Sequence, residues 1–212
     1  MHTSWITVVS GLPRSGTSMM MAMLAAGGIP PLTDHERRPD QDNPRGYYEF
    51  ERVKKLPEGD NAWLPLAVGK AVKVISALLP HLPPTHSYRV VFMRRNLAEV
   101  LASQRQMLAS RGEATSDADD ARLAALFERH LEQTERWLAA QPHMPALYVS
   151  YNALLAQPAE EVERINAFLG GGLDAAAMLG VIDRSLYRQR QPDAATGRAP
   201  SDRKTSGEPN TP

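Results

Sequence analysis

The sequence predicts an α/β fold of three layers (αβα), in which helices cover both faces of a central, mainly parallel sheet. Four short segments rich in valine, isoleucine and aromatic residues are separated by longer segments of helical periodicity, and strands that alternate with helices are typical of parallel sheets. The strand segments are apolar at most positions, as expected for strands that are buried on both faces. They read WITVVS (5–10), AVKVIS (71–76), YRVVFMR (88–94) and ALYVSY (146–151).

The intervening helices are predicted from their apolar stripes and from their ends. A uniformly apolar segment over residues 18–26 stops at a glycine pair, which is a common helix end. Asn96 is a suitable cap for a helix that follows the third strand, and a long amphipathic helix is expected over residues 117–140. Pro158, a residue type favoured in the first helical turn, opens the last predicted helix, which ends at the glycines of residues 170–172.

Composition and charge favour a soluble protein. The 212 residues contain 24 basic and 24 acidic side chains, so no global charge predicts binding to nucleic acid or to an acidic membrane surface. There is no cysteine, which excludes disulfides, thiolate metal sites and cysteine nucleophiles and fits a reducing compartment. No apolar run is long enough to span a bilayer, and the first residues lack the features of a signal peptide. We therefore expect a cytoplasmic protein, and its oligomeric state stays open.

Two segments differ from the alternating strands and helices. Residues 30–65 contain six prolines and are expected to form an irregular loop, which at this length is more often functional than idle. From Gln191 onward the chain is rich in proline, glycine, serine and charge without periodicity, which is typical of disorder. We therefore predict one domain over residues 1–190 and a disordered tail over 191–212.

The loop after the first strand has the pattern of a phosphate-binding site. Residues 11–18, GLPRSGTS, place two glycines at the spacing of the G-x-x-x-x-G-K-[ST] loop, between a strand and a helix. Backbone N–H groups and the helix dipole favour an anion at such a turn, and Ser15, Thr17 and Ser18 add hydroxyl donors. The alternative is a tight turn whose hydroxyls only cap the helix. Because the strand, the glycine spacing and the hydroxyls coincide, phosphate binding is the favoured interpretation.

The same loop lacks the parts of a nucleotide hydrolase. Thr17 stands where the motif has lysine, and Arg14 is the only cation in the loop. None of the predicted strands ends in aspartate, although such enzymes use that residue to hold Mg²⁺ and the loop lysine to hold the outer phosphates. We therefore expect no metal site, and a ligand whose transferable group carries less charge than a terminal phosphate.

A second anion site is predicted at the end of the third strand. Arg94 and Arg95 close this apolar strand at the edge where ligands of parallel sheets bind. Ser103 follows a little over two helical turns later. The alternative is that both arginines pair with acids at the rim of the sheet, but the neighbouring loop favours a phosphate.

With these motifs identified, the sequence resembles the sulfotransferases. GLPRSGTS is similar to their 5′-phosphosulfate loop, written with P-K/R-S-G-T at its centre. RNLAEVLAS (95–103) is similar to their 3′-phosphate motif, an arginine at a strand end with a serine eight positions on. The segments NPRGYYE (43–49) and YVSYNALLAQPAEEVERINAFLG (148–170) look like bacterial members. The resemblance covers most of residues 5–190 and implies a fold similar to that of P-loop NTPases.

The resemblance also implies a donor and the residues that bind it. The donor is 3′-phosphoadenosine 5′-phosphosulfate (PAPS), from which a sulfuryl group moves to a hydroxyl or amine acceptor without a metal. Arg14, at the lysine/arginine position of the family loop, would stabilise the leaving phosphate by charge alone, because arginine does not give up its proton. The implied nucleotide-binding residues are Arg14, Ser15, Gly16, Thr17 and Ser18 at the 5′ end, and Arg95 and Ser103 at the 3′-phosphate.

The motifs do not identify the general base. Many cytosolic members have a histidine just after the second strand, where this chain has KVIS (73–76). Other branches use a glutamate, which makes Glu49 the candidate base; the alternative is a solvated carboxylate. Lys73 is expected either to assist at the sulfuryl group or to extend its ammonium to solvent. A basic C-terminal segment covers the 3′-phosphate in many relatives, and Arg188 is the candidate here, although the usual R-K-G sequence is absent.

Two other functions stay open on the sequence alone. An ATP- or GTP-dependent kinase is disfavoured by Thr17 and by the missing strand-end aspartate, and dependence of activity on Mg²⁺ would restore it. A nucleotide-binding protein of the same fold without transfer activity stays open because the histidine is absent and Glu49 is not established as the base. Such a protein would bind the nucleotide without turnover over a broad panel of acceptors.

Overall fold

Parallel strands form the central sheet of this protein. The computed structural model describes residues 4–37, 46–110, 112 and 117–183. The strands are β1 (Ile6–Gly11), β2 (Ala71–Lys73), β3 (Tyr88–Arg94) and β4 (Ala146–Ser150). Their order across the sheet is β2-β1-β3-β4, and every pairing in it is parallel. The predicted α/β fold with a parallel sheet is therefore confirmed.

In the described part of the chain, α-helices lie between and after these strands. They are α1 (Thr17–Ala26), α2 (Leu64–Ala67), α3 (Leu97–Ser110), α4 (Asp117–Ala139), α5 (Tyr151–Ala156), α6 (Pro158–Phe168) and α7 (Ala175–Gly180). Of these, α1, α3, α4 and α6 lie at the predicted places, and α2, α5 and α7 are short helices that were not predicted. Asn96 caps α3 as predicted, because its Oδ1 accepts a 2.9 Å hydrogen bond from the N–H of Ala98. Pro158 occupies the first turn of α6, also as predicted.

Helices pack on both faces of the sheet, which confirms the three layers. Side chains alternate between the two faces along each strand. Val8 and Phe92 pack in one apolar core with Leu138 of α4. Val9 and Met93 pack in a second core with residues of α1, α5, α6 and α7. Each strand therefore buries apolar side chains on both faces, which explains why the strand segments are apolar at most positions.

The second strand is shorter than predicted. β2 ends at Lys73 rather than at Ser76, and a 3-10 helix over Ser76–His81 takes the chain away from the sheet. This helix contains Pro80, which has no N–H group to continue a ladder. Residues 71–73 are therefore paired in the strand, and the apolar residues that follow do not extend it.

The fourth strand also ends one residue early, because a helix begins there. Ser150 accepts a 3.2 Å hydrogen bond on its Oγ from the N–H of Ala153 and so caps α5. Tyr151 is consequently the first residue of α5 rather than the last of β4. This change of element matters for the site, because it directs the Tyr151 ring at the loop after β1.

The proline-rich segment is more ordered than predicted. Pro31 forms a parallel bridge with Ala71 on the outer side of β2, and a 3-10 helix spans Glu51–Glu58 ahead of α2. Trp63 is fully buried and donates its indole N–H to the carbonyl of Asp60 at 2.9 Å. The expectation of an irregular segment holds for residues 32–36 and 46–50, which form no helix or strand, and is wrong for the short helices over Glu51–Glu58 and Leu64–Ala67. Residues 38–45 lie outside the described part.

Two further predictions concern the chain as a whole. None of the helices in the described ranges is long and apolar enough to cross a membrane. The predicted tail over residues 191–212 lies outside the described residues, as does Arg188.

Candidate functional site

The loop between β1 and α1 lies at the carboxyl edge of the sheet and has a left-handed backbone at two positions. Arg14 has a φ of +70° and Gly16 a φ of +97°, and residues with a side chain enter this region at a cost of about 1–2 kcal/mol. A Cβ on Gly16 would lie 2.5 Å from a ring carbon of Tyr151. A Cβ on Gly11 would lie 2.6 Å from the carbonyl oxygen of Met93. Close packing therefore excludes a side chain at both glycines of the motif.

Ser15 stabilises the loop from within. Its hydroxyl donates a 2.7 Å hydrogen bond to the carbonyl of Leu12, and its backbone N–H donates to the same oxygen at 3.2 Å. The side chain is buried. The Ser15 hydroxyl thus acts on the shape of the loop, and contact between Ser15 and a nucleotide stays a prediction.

The start of α1 offers backbone donors beside this loop. Gly16 precedes the helix, and among the described contacts no side chain caps this end. Thr17 and Ser18 supply the first N–H groups of the helix, which have no carbonyl partner within it. The first turn contains no acidic side chain, so nothing there opposes the positive end of the helix dipole. This end of α1 therefore suits an anion.

Arg14 joins the loop to α3. Its Nε donates a 2.9 Å hydrogen bond to the Oγ of Ser103, which is buried on α3. Its backbone carbonyl accepts a 3.2 Å hydrogen bond from a terminal nitrogen of Arg95. The two predicted phosphate motifs therefore meet in space, and three of the residues proposed from them contact one another.

The two arginines at the end of β3 have different surroundings. Arg94 stacks its guanidinium 4.3 Å from the ring centre of Tyr148 and pairs with Glu135 of α4. Arg95 lies on the other face, with its guanidinium 4.5 Å from the ring centre of Tyr151. Both arginines therefore pair with an acid, as the alternative interpretation expects: Arg94 with Glu135 and Arg95 with Glu99. Arg95 differs in that it also contacts the loop, through the carbonyl of Arg14.

Lys73 is buried at the end of β2, next to the loop and α1. Its side chain is 8% exposed and lies 3.6 Å from the carboxylate of Glu49. Its Nζ also donates to the Oγ of Ser18 at 3.3 Å and to the carbonyl of Tyr47. Burial lowers the pKa of Lys73 from 10.5 to about 8, and the charge of Glu49 opposes this shift. Lys73 therefore does not extend to solvent.

Glu49 lies among three cations at this end of the site. Its Oε1 accepts a 2.8 Å hydrogen bond from Arg37 and lies 3.6 Å from Lys73. Its Oε2 lies 3.8 Å from the Nζ of Lys54. The carboxylate is 18% exposed, so Glu49 is not the freely solvated residue of the alternative interpretation. The structure brings Glu49, Lys73 and Ser18 together, as a candidate base beside a phosphate loop requires.

The position after β2 carries no imidazole. Val74, Ile75 and Ser76 follow the strand, and Ile75 is 40% exposed. The nearby hydroxyl of Ser76 is 2.8 Å from the Nε2 of His130 on α4, and Thr134 lies 3.4 Å from the same nitrogen. These contacts hold α4 against the chain after β2 and explain why His130 is buried in part.

Several contacts of this site involve residues that the sequence arguments did not select. Arg37 lies over the ring of Tyr47 at 3.4 Å and bonds Glu49, and Glu99 pairs with Arg95. For Glu99 a signal existed, because arginine and glutamate four residues apart face each other on a helix. For Arg37 there was none, because its partner Glu49 lies 12 residues away in a segment with no helix or strand periodicity to relate the two.

Comparison with known proteins identifies the family of this chain. The model of the sulfotransferase domain family matches residues 6–199, which is most of the chain. The chain belongs to the sulfotransferase family. Both phosphate motifs of this sulfotransferase lie inside the matched range. No curated protein matches its sequence.

Three solved structures are similar to this sulfotransferase at low sequence identity. The sulfotransferase domain from the Synechococcus PCC 7002 olefin synthase is 18% identical, with a TM-score of 0.53 over 92% of this chain and 90% of that chain. The sulfotransferase domain from the curacin biosynthetic pathway is 15% identical, with a TM-score of 0.48 over 91% of this chain and 80% of that chain. A retinol dehydratase in complex with androsterone and inactive cofactor PAP is 18% identical, with a TM-score of 0.44 over 82% and 62% of the two chains. The first of these similarities supports the fold alone.

Proposed function

We propose that this sulfotransferase moves a sulfuryl group from PAPS to a hydroxyl or amine of an acceptor. The observation that carries the proposal is the contact between the two phosphate motifs. Arg14 of the first motif bonds Ser103 of the second at 2.9 Å, and Arg95 bonds the backbone of Arg14 at 3.2 Å. A ligand with phosphate groups at two separate positions suits such a pair of adjoining anion sites better than a ligand with one phosphate chain.

The first site suits the 5′ end of PAPS. The uncapped start of α1 supplies backbone donors from Thr17 and Ser18. Arg14 and Lys73 supply positive charge, and they are close enough that the charge of Arg14 contributes to the lowered pKa of Lys73. A phosphosulfate carries less charge than a triphosphate, which fits a site with these two cations.

The second site suits a 3′-phosphate. The Arg95 guanidinium presents donors in a fixed plane, and a phosphate can accept two of them at once. Ser103 adds a hydroxyl on the next helix, in contact with Arg14. We therefore assign Arg95 and Ser103 to the 3′-phosphate. Arg188, which lies outside the described residues, stays a candidate for the same phosphate on the resemblance alone.

Arg14 and Lys73 are proposed to stabilise the transfer by their charges. PAPS supplies an activated sulfuryl group: its bond to the phosphate oxygen breaks while sulfur bonds to the acceptor oxygen or nitrogen. Negative charge then grows on the phosphate oxygen that is left behind. Cations held beside it before the reaction stabilise that charge, and the loss of one such donor costs about 3 kcal/mol.

Glu49 is proposed as the base that takes the acceptor proton. Its carboxylate lies 3.6 Å from Lys73, and Lys73 in turn lies 3.3 Å from Ser18 at the start of α1. An acceptor hydroxyl that approaches the sulfuryl group over Ser18 therefore passes close to Glu49. Positioned proton transfer of this kind contributes about 10²–10⁴-fold to the rate.

Calorimetry with 3′-phosphoadenosine 5′-phosphate (PAP), the product nucleotide, tests the donor directly. We would measure binding of PAP without metal, and of ATP with Mg²⁺, to the wild type and to Arg14→Ala and Arg95→Ala. Arg94→Ala is a matched control, because the adjacent Arg94 stacks on Tyr148 and pairs with Glu135. We expect tight, metal-free binding of PAP that is weakened at least about tenfold by the first two substitutions and little by the control.

Other results would redirect the assignment. A preference for ATP with Mg²⁺ would favour the kinase interpretation. Equal losses for Arg94→Ala and Arg95→Ala would show that general positive charge, rather than this pair of sites, binds the nucleotide. Tight binding of PAP without turnover over a broad acceptor panel would favour a nucleotide-binding protein, for which the lack of a histidine in residues 73–76 is the supporting observation.

A further inference from the structure

Glu99 is a buried carboxylate beside the second anion site. It lies in the first turn of α3 and is 3% exposed. Its Oε2 accepts a 3.0 Å hydrogen bond from the Nε of Arg95, and its Oε1 accepts a 3.1 Å hydrogen bond from the Nδ2 of Asn152 on α5. A carboxylate is buried at a large cost unless it is paired and hydrogen-bonded. Both of its oxygens are used in this way.

These contacts determine where the Arg95 guanidinium lies. Its Nε edge faces Glu99, and a terminal nitrogen donates to the carbonyl of Arg14. The plane lies 4.5 Å from the ring centre of Tyr151. Tyr151 and Asn152 are the first two residues of α5, so one short helix supports both the arginine and its carboxylate partner. An arginine side chain otherwise has large rotamer freedom, whose loss opposes binding.

We propose that Glu99 is a positioning residue for the 3′-phosphate: it holds the Nε edge of Arg95 so that the opposite edge is directed at the phosphate. This inference rests on the proposed function and adds to it a residue that does not touch the nucleotide. Glu99 acts through hydrogen-bond geometry rather than through its charge. A carboxylate near a phosphate is unfavourable because both groups are negative. Substitution of Glu99 should therefore weaken PAP binding if positioning dominates and strengthen it if repulsion dominates.

Two substitutions separate geometry from charge. Glu99→Gln removes the charge but keeps an oxygen that can accept from Arg95, while its amide can donate to Asn152 once that amide turns over. Glu99→Met keeps the approximate volume and a good helix-forming side chain but removes both acceptors. Glu161→Met is the matched control, because Glu161 is 7% exposed and pairs with Arg164 on α6.

The readout is affinity for PAP compared with 5′-AMP, which lacks the 3′-phosphate, in metal-free calorimetry on the full chain. For Glu99→Met we expect PAP affinity to fall about tenfold or more while 5′-AMP affinity changes less than about twofold, since the loss is one well-placed charge-assisted hydrogen bond. For Glu99→Gln we expect both affinities to stay within about threefold of wild type. Glu161→Met is expected to change neither. Urea unfolding of each variant checks that the fold is intact.

Several outcomes would overturn the inference. Unchanged or tighter PAP binding by Glu99→Met would show that charge repulsion outweighs positioning. Equal losses by the Met and Gln variants would show that Arg95 is held by the charge of Glu99, which attracts it, rather than by the geometry of the hydrogen bond. If Glu99→Met does not fold, Asn152→Ala replaces it, since it removes one of the two bonds to Glu99; an unchanged PAP/5′-AMP ratio there would also contradict positioning. If the wild type itself does not prefer PAP over 5′-AMP, the proposed donor fails first, and with it the role of Glu99.

Discussion

The Nε of Arg14 and the Oγ of Ser103 lie 2.9 Å apart, in a hydrogen bond between residues 89 positions apart in the chain. One belongs to the loop after β1 and the other to α3, so the bond joins the two phosphate motifs directly. Because the guanidinium is charged, this is a charge-assisted bond of the stronger kind. A nucleotide that spans both motifs would meet these two side chains as one preformed group.

Ser103→Ala is predicted to weaken PAP binding selectively. The substitution removes a hydroxyl near the 3′-phosphate and the partner of Arg14, and we expect a loss of about 1–1.5 kcal/mol, or roughly tenfold in affinity. Calorimetry with PAP and with 5′-AMP measures it, and the loss should be confined largely to PAP. Equal losses for both nucleotides would contradict the assignment of Ser103 to the 3′-phosphate.

Gly16→Ala is predicted to destabilise the fold by about 3 kcal/mol, in part through the left-handed backbone and in part through a clash. The new Cβ would lie 2.5 Å from the Tyr151 ring at a φ of +97°. Gly28→Ala is the matched control, since Gly28 has a φ of +103° but nothing within 4 Å of its Cβ position. It should lose only the backbone part, about 1–2 kcal/mol. Urea unfolding of both variants gives the comparison, and equal losses would show that Tyr151 moves aside freely.

Lys73→Met is predicted to change the way stability depends on pH. The pKa of Lys73 is lowered from 10.5 to about 8 in the folded protein, chiefly by burial. Below pH 8 both the folded and the unfolded states hold the proton, so the wild type carries the full cost of a buried charge. Between pH 8 and 10.5 the unfolded state binds more protons, so the stability of the wild type rises with pH.

The variant has no lysine at this position to titrate, so its stability does not rise with pH in this way. The difference between the two pH curves is what we would measure. From near pH 7 to near pH 10, the free energy of unfolding of Lys73→Met should fall relative to that of the wild type by about 2 kcal/mol. Lys55→Met, at an exposed position, is the control and should run parallel to the wild type. If the curve of Lys73→Met also runs parallel to that of the wild type, the Lys73 pKa is not lowered.

Glu49→Gln is predicted to bind the nucleotide nearly as the wild type does but to lose sulfuryl transfer. The amide cannot accept the acceptor proton, so we expect turnover with radiolabelled PAPS over a panel of hydroxyl and amine acceptors to fall about 10²-fold or more, with PAP affinity within about threefold of wild type. Glu51→Gln is the control, because Glu51 is a nearby carboxylate that pairs with Lys54. Retained turnover would exclude Glu49 as the base. A large loss of PAP binding would instead show that Glu49 serves mainly to hold Lys73 and Arg37.

Much of the fold and part of the site could be predicted from sequence because the signals are local. The apolar segments predict the strands, and the loop pattern between β1 and α1 is contained in eight consecutive residues. The placement of Arg94 and Arg95 on opposite faces of the sheet also follows from a local pattern. Side chains alternate along a strand, so residues 92 and 94 face α4, while residues 93 and 95 face the loop.

The sequence by itself determined the α/β order, the two glycines of the loop and the two phosphate motifs of a sulfotransferase. Only the tertiary structure decided that Glu49 meets Lys73, that Arg14 meets Ser103 and that Glu99 lies between Arg95 and Asn152. The physical reason is the range of the interactions. Backbone angles, periodic burial and the pair of Arg95 with Glu99 act within a few residues. The contacts of Glu49 with Lys73, of Arg14 with Ser103 and of Glu99 with Asn152 instead join elements that become neighbours only after the parallel strands align their carboxyl ends at one edge.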